Sequence, residues 1–349
     1  MLVALVALLG AGCSSPPAVR FESTRDELRW PAPPDPARIQ YAGSLVSAAD
    51  PRTGLAPGDG VFDALLGKKE SAGMVNPMAV CTDGPRLMVA DSGIPGVHVF
   101  NTKNGHYEFW TPPAKAAQFS APISLARTPD GRLLVSDSAE GCLFVFDAAG
   151  KYLGTIGDGL LQRPVGVCVD ARNGRILVAD AGAHLVFVFA PDGEEITRIG
   201  GRGIAPGQFN YPTYTAVDAQ GRLYVADSLN FRVQVFTENL EYLMSIGSKG
   251  DMPGYFAQPK GLAVDDAGRL YVADANFEAI QIFDPEGRLL MAFGREGRAP
   301  GEFWLPTGVY IDEKGSIWIA DSYNRRVQKF EYIGPDNGDA GKTGTGAGS

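Results

Sequence analysis

Residues 258–294 read QPKGLAVDDAGRLYVADANFEAIQIFDPEGRLLMAFG. Four short runs in this stretch are rich in Val, Ile, Leu, Tyr and Phe. Turn signals of the Asp-x-x-Gly, Asp-x-x-Asn or Pro-x-Gly kind separate such runs here and in the sister copies. Short apolar runs with period-2 patterning between turn residues predict antiparallel strands joined as hairpins. Gly268 sits where a tight hairpin turn needs a positive φ, as do Gly221 and Gly315 in the neighbouring copies. No part of the chain carries a convincing helical period.

The same unit recurs. Residues 211–247 read YPTYTAVDAQGRLYVADSLNFRVQVFTENLEYLMSIG, and residues 305–333 read LPTGVYIDEKGSIWIADSYNRRVQKFEYI. The Asp that ends the second run falls at Asp91, Asp137, Asp180, Asp227, Asp274 and Asp321, at intervals of 46, 43, 47, 47 and 47 residues. Six copies of a four-stranded unit at this period predict an all-β, six-bladed β-propeller. The last copy lacks a fourth strand. The run RIQYAGSLVS at 38–47 is strand-like and belongs to no copy. It is expected to pair with the C-terminal blade at 326–332 and close the ring. The propeller is then a single domain, 38–333, followed by a Gly-rich tail at 334–349 that reads as disordered.

The pattern Pro-x-Gly-(apolar)-x-(apolar)-Asp, then Gly-Arg-Leu-Tyr-Val-Ala-Asp, then Asn-x-Arg-Val-Gln-x-Phe resembles the NHL repeat family. The match is close at 206–246, 253–293 and 300–332. It is weaker at 76–110 and 121–156, where the Asn and Arg are missing. The resemblance implies a six-bladed propeller and leaves the function open, because one fold carries many unrelated activities.

Repeated residues read as scaffold. Each recurrent Asp precedes a loop whose backbone N–H groups it can accept, and Arg232 and Arg326 follow their Asp by five residues. Phe209, Phe256 and Phe303 read as core anchors between blades. Gly166, Gly261 and Gly308 stand in innermost strands, where backbones crowd the channel. Recognition is sought instead among residues that break the repeat at one end of the ring, in loops before the first strand and after the second. These are Tyr211, Tyr214, Phe231, Lys260, Phe277, Trp304, Tyr323 and Arg325. Tyr214 replaces a sister-blade Gly and is expected to narrow the channel mouth. Aromatic side chains with Arg nearby are typical binding anchors.

The apolar run LVALVALL at 2–9, followed by Gly-Ala-Gly-Cys, is too short to span a bilayer and reads as a secretory signal. Cys13 after Ala-Gly resembles the lipobox of bacterial lipoproteins. The resemblance implies a signal peptide at 1–12, a lipid on Cys13, and a Pro/Ser-rich tether at 13–37 facing the periplasm or exterior. Cys81, Cys142 and Cys168 remain. They lie in apolar strand patterns and read as buried hydrophobes.

The chain of 349 residues has 40 Asp+Glu against 31 Lys+Arg, a net charge of −9, which argues against a nucleic-acid partner. Hydrophobic residues at 45% and charged ones at 20% mark a globular chain. Two enzyme families resemble such propellers. The amidating lyases hold zinc through channel histidines, but His98, His106 and His184 are scattered here. Calcium-dependent lactonases line the channel with oxygen ligands, but the first strands here (MAVCT, ISLAR, VGVCV, TYTAV, KGLAV, TGVYI) are largely apolar. No phosphate loop or Gly-x-Ser-x-Gly elbow is present, so no cofactor or catalytic residue is assigned. A membrane-tethered binding or scaffolding propeller is the preferred reading, its ligand a protein, peptide or glycan. A metal-dependent enzyme of the lyase or lactonase kind is the alternative.

Overall fold

The structure, a computed structural model, describes residues 28–46 and 73–334. The expected signal peptide, Cys13, most of the tether and nearly all of the C-terminal tail lie outside the described residues.

Six antiparallel sheets make up the described body, one per sequence copy. The innermost strands are Pro77–Asp83, Pro122–Arg127, Pro164–Val169, Pro212–Val217, Pro259–Val264 and Pro306–Ile311. Every one opens on proline. Proline has no N–H to give a ladder and is tolerated at the first position of a strand. A register irregularity follows each of these prolines before regular pairing with the second strand begins. The second strands run to the recurrent Asp, and the third and fourth carry each blade outward. We number the blades 1 to 6 in chain order.

The innermost strands of neighbouring blades approach too closely for side chains at some points. A Cβ on Gly261 would lie 2.0 Å from the Thr307 carbonyl oxygen, which explains why this position is Gly. The core fills the spaces between blades. Phe209, Phe256 and Phe303 are completely buried there, each stacked at a tilt on the third-strand aromatic of its own blade. Between the first and second strands of blade 4, Gly221 has φ +82°. Asp218 Oδ1 accepts the N–H groups of Gln220 and Arg222 at 3.0 and 2.8 Å, so the Asp-x-x-Gly signal is a side-chain-clamped turn.

The ring closes as the missing strand requires. Ile39–Val46 pairs antiparallel with Arg326–Tyr332, in register from Ile39 opposite Tyr332 to Val46 opposite Arg326. The packed body nevertheless starts earlier than residue 38. Arg29–Trp30 forms a short fifth strand on the outer side of Ile39–Gln40. The Trp30 ring reaches Phe293 of blade 5 and Phe330 of blade 6, with centroids 5.9 and 5.8 Å away. Residues 28–37 are thus no free tether. Their prolines turn the chain back on itself, and a large apolar ring near the seam gains more from burial than from extension.

Candidate functional site

The two ends of the ring differ in construction. The lower end carries the short turns between first and second strands. The upper end carries the loops that follow each recurrent Asp and those that lead into each innermost strand. The six Asp residues stand at this upper end, fully buried. In blades 1, 2, 3 and 5 each accepts four backbone N–H groups, two from the preceding loop and two from the following one. Asp274, for example, takes those of Ala257, Gln258, Asn276 and Phe277 at 2.7–3.2 Å. Blades 4 and 6 substitute side chains. Asp227 accepts Asn210 N–H, Asn230 Nδ2, Arg232 Nε and Gln234 Nε2. Asp321 accepts the matching set from Trp304, Asn324, Arg326 and Gln328. The Asp ring is therefore a loop-clamping scaffold.

One of the displaced N–H groups in each of blades 4 and 6 is taken up one blade back. His184, Phe231, Glu278 and Arg325 occupy the same loop position, each with φ between 53 and 58°. His184 Nδ1 accepts the N–H of Tyr211 at 3.1 Å, and Glu278 Oε2 that of Leu305 at 2.5 Å. Tyr211 and Leu305 are themselves held at positive φ, 60 and 57°. Their N–H groups point to the neighbouring blade and leave the Asp lone pairs to Asn, Arg and Gln. Burial raises the pKa of Glu278, against the lowering by the Leu305 N–H.

Three long loops overhang the upper face between blades 3 and 6. Each is pinned by a parallel bridge: Arg202 with Phe209, Lys249 with Phe256, Glu296 with Phe303. A third-strand glutamine grips each one twice. Gln234, Gln281 and Gln328 accept the N–H of Gly207, Gly254 and Gly301 at 2.7–2.9 Å, and donate to the carbonyls of Gln208, Tyr255 and Glu302 at 2.7 Å. Sequence reading left these glutamines without a role, although their recurrence in Val/Ile-Gln-x-Phe was visible.

Seven of the eight expected site residues fall on the upper side of blades 4 to 6, and Tyr214 lies beneath them. Trp304 and Tyr323 meet edge to face, with centroids 5.6 Å apart. Tyr323 is 54% exposed, and the Arg298 guanidinium lies 4.6 Å from the centre of the Trp304 ring. Phe231 carries Lys249 at 5.1 Å, and Tyr211 carries Arg163 at 5.6 Å. Both rings also pack partly against the core. Arg325 is exposed and Phe277 half-buried. Lys260 is half-buried at the channel mouth, where burial lowers its pKa and Glu278 opposes the shift. Tyr214 does more than narrow the mouth. It is buried, crosses the axis, and donates its hydroxyl to Met78 O of blade 1 at 3.0 Å, with Ile123 O of blade 2 at 3.4 Å. Tyr214 thus lies beneath the face rather than on it.

His98 is buried in the third strand of blade 1, with Nδ1 3.0 Å from Tyr107 Oη. His106 lies at an outer turn and His184 on the upper loops. Among the described residues no group of three or more His, Cys, Asp or Glu side chains is placed to hold a metal ion.

Comparison with known proteins fits this construction. The NHL repeat signature matches residues 161–189, 209–236, 256–283 and 303–330. The chain carries four NHL repeats. They are blades 3 to 6, and blades 1 and 2 have the same four-stranded antiparallel order. No curated protein matches the sequence at a significant level. Among solved structures, an auxiliary nutrient binding protein from Bacteroides thetaiotaomicron superposes with a TM-score of 0.59 at 13% identity, over 74% of this chain and 70% of that one. One from Bacteroides ovatus gives 0.57 at 14%, over 74% and 69%. Virginiamycin B lyase from Staphylococcus aureus gives 0.54 at 15%, over 74% and 96%. At these identities the likeness shows a shared fold.

Proposed function

We propose that this protein is an extracytoplasmic binding propeller, tethered to the membrane by lipid on Cys13, that captures a protein, peptide or glycan on the upper face of its NHL blades 4 to 6. The observation that carries the reading is the Trp304–Tyr323 pair with Arg298 stacked on the tryptophan. Rigid aromatic rings lose little conformational entropy on binding, and a cation over a ring orients it for a partner. The loops that present these rings are clamped by the Gln and Asp ladders, so little ordering cost remains at capture. The Bacteroides proteins that share the fold are described as nutrient binding, which supports a binding role.

Capture from solubilised membranes with the full-length chain tests the reading. Trp304→Ala and Tyr323→Ala should each weaken capture of the dominant ligand about thirty-fold, with little change in melting temperature. Full retention of capture by both variants would sink this assignment. Virginiamycin B lyase shares the fold, and elemental analysis of the purified protein separates the two readings. A stoichiometric metal removed by EDTA together with activity would favour the enzyme.

A further inference from the structure

Charge is paired differently at the two ends of the ring. At the lower end the turn arginines Arg172, Arg222 and Arg269 each meet the carboxylate of their own turn at 2.6–2.9 Å. At the upper end of blades 3 to 6, Arg163, Arg202, Lys249, Arg298 and Arg325 are all exposed, and none has an ion-pair partner among the described residues. Three of them rest on rings instead: Arg163 on Tyr211, Lys249 on Phe231 and Arg298 on Trp304. The exposed carboxylates of the same loops are fewer, namely Asp158, Asp251 and Glu296. Glu302 is taken by Arg295 at 2.8 Å, and Lys260 and Glu278 offset each other at the channel mouth. The recurrent Asp side chains are enclosed and already satisfied by loop donors. Cations therefore prevail at the surface of this end, although the whole chain carries −9.

Apolar side chains are exposed among these cations. Ile204 and Met252 ride on the overhanging loops at 79% and 60% exposure, and Leu229, Tyr255 and Tyr323 are exposed on the same face. Such groups gain from burial against other apolar side chains, and methionine adapts to many shapes. Exposed apolar groups rimmed by charge are the composition of a protein-docking surface. A glycan suits this surface less well. Sugar rings stack on free aromatic faces, yet Tyr211 and Phe231 carry cations and pack against the core. Ile204 and Met252 offer no hydrogen bond to a sugar hydroxyl.

We propose that the ligand of the loop face is a protein, docked through an acidic segment whose carboxylates meet Arg163, Arg202, Lys249, Arg298 and Arg325 and whose apolar side chains cover Ile204 and Met252. This rests on the assignment of capture to the upper face and narrows its ligand. Cations held over rings are in place before the partner arrives, so less side-chain freedom is lost on pairing. Exposed charges act chiefly on the encounter and its salt dependence, whereas apolar anchors act on dissociation.

A fluorescent random copolymer of Glu and Tyr is the probe, with polygalacturonate as the acidic glycan, both measured on the full chain by anisotropy and stopped flow. The copolymer should bind saturably, and polygalacturonate about tenfold more weakly. Lys249→Glu and Arg325→Glu reverse two charges at positions where the sister loops already carry Glu296 and Glu278. Together they should slow copolymer association about tenfold at low salt and leave the melting temperature unchanged. Glu296→Lys, the converse change, should speed association. Ile204→Ser with Met252→Ser should hasten dissociation about tenfold. Lys314→Glu, exposed on a lower turn, should change neither rate. Equal affinity for polygalacturonate, no saturable copolymer binding, or association indifferent to the reversals and to salt would each overturn the acidic protein partner. Trp304→Ala and Tyr323→Ala report on the face itself. Copolymer binding that needs both rings but ignores the reversals removes only this proposal, whereas binding that ignores both rings removes the face as well.

Discussion

At the residue scale the molecule is organised by buried carboxylates. Asp227 holds one backbone N–H and three side-chain donors in a space with no water access. Asp227→Ala would strand the Arg232 guanidinium and two amides. The expected loss is about 3–5 kcal/mol, because removing one partner leaves an uncompensated buried charge. Urea unfolding with an unchanged slope would measure it. On the lower side, Asp170 is buried between Arg172 and Arg175 at 2.9 and 3.2 Å. Burial alone would raise its pKa, but the hydrogen bonds from both arginines outweigh that and hold it at about 2. A carboxylate depressed in the folded state stabilises the fold above its unfolded pKa and loses that contribution as pH falls through the folded one. Asp170→Asn should thus cost about 2 kcal/mol at pH 7, and the difference from wild type should shrink between about pH 4 and pH 2. A pH-independent difference in denaturation midpoint would show that the charge is not what matters. The Asp-as-scaffold role was legible in the sequence because the residue repeats before a loop. The Gln234, Gln281 and Gln328 grips were not, because their partners lie 26 or 27 residues away in a different loop.

At the element scale the seam decides stability. Blades 1 to 5 are built from continuous chain, but blade 6 borrows Ile39–Val46 from the N-terminal side. Deleting 38–46 should cause cooperative loss of stability or aggregation, since it bares the edge of Arg326–Tyr332. Truncation after residue 334 should leave the melting temperature unchanged. Equal melting of the two shortened chains would contradict closure by this strand. Trp30→Ala removes a ring packed on Phe293 and Phe330 and should cost about 2 kcal/mol, read as a lower urea midpoint. The closing strand could be found in the sequence by counting strands. The Arg29–Trp30 strand could not, because two residues carry no periodicity and their meaning comes from Phe293 and Phe330, some 260 and 300 residues later.

For the whole molecule, address and recognition are expected to be separable. Cys13→Ser should move the protein from membranes to a soluble fraction with its fold and its ligand capture intact. Stable anchoring takes more than one acyl chain, so if the proposed lipid sits on Cys13, its loss should release the protein completely. Intact-mass measurement of the native protein checks this directly, and an unmodified Cys13 would refute the tether. The three cysteines of the propeller all have thiols pushed up to about 12 by burial, which suits strand residues rather than redox groups.

The sequence by itself determined the architecture. A period near 47 residues with four strands per unit admits a ring of blades, and a missing strand at one end with a spare at the other prescribes how it closes. These are local patterns, repeated because each blade solves the same packing problem. Only the tertiary structure decided what lies on the axis and on the face. Tyr214 meets carbonyls 91 and 136 residues away. His184 and Glu278 redirect N–H groups of the following blade. Trp304 and Tyr323 become a pair because two loops of one blade fold together. Each depends on contacts between non-repeating residues that only the folded loops and the packed ring of blades bring within reach.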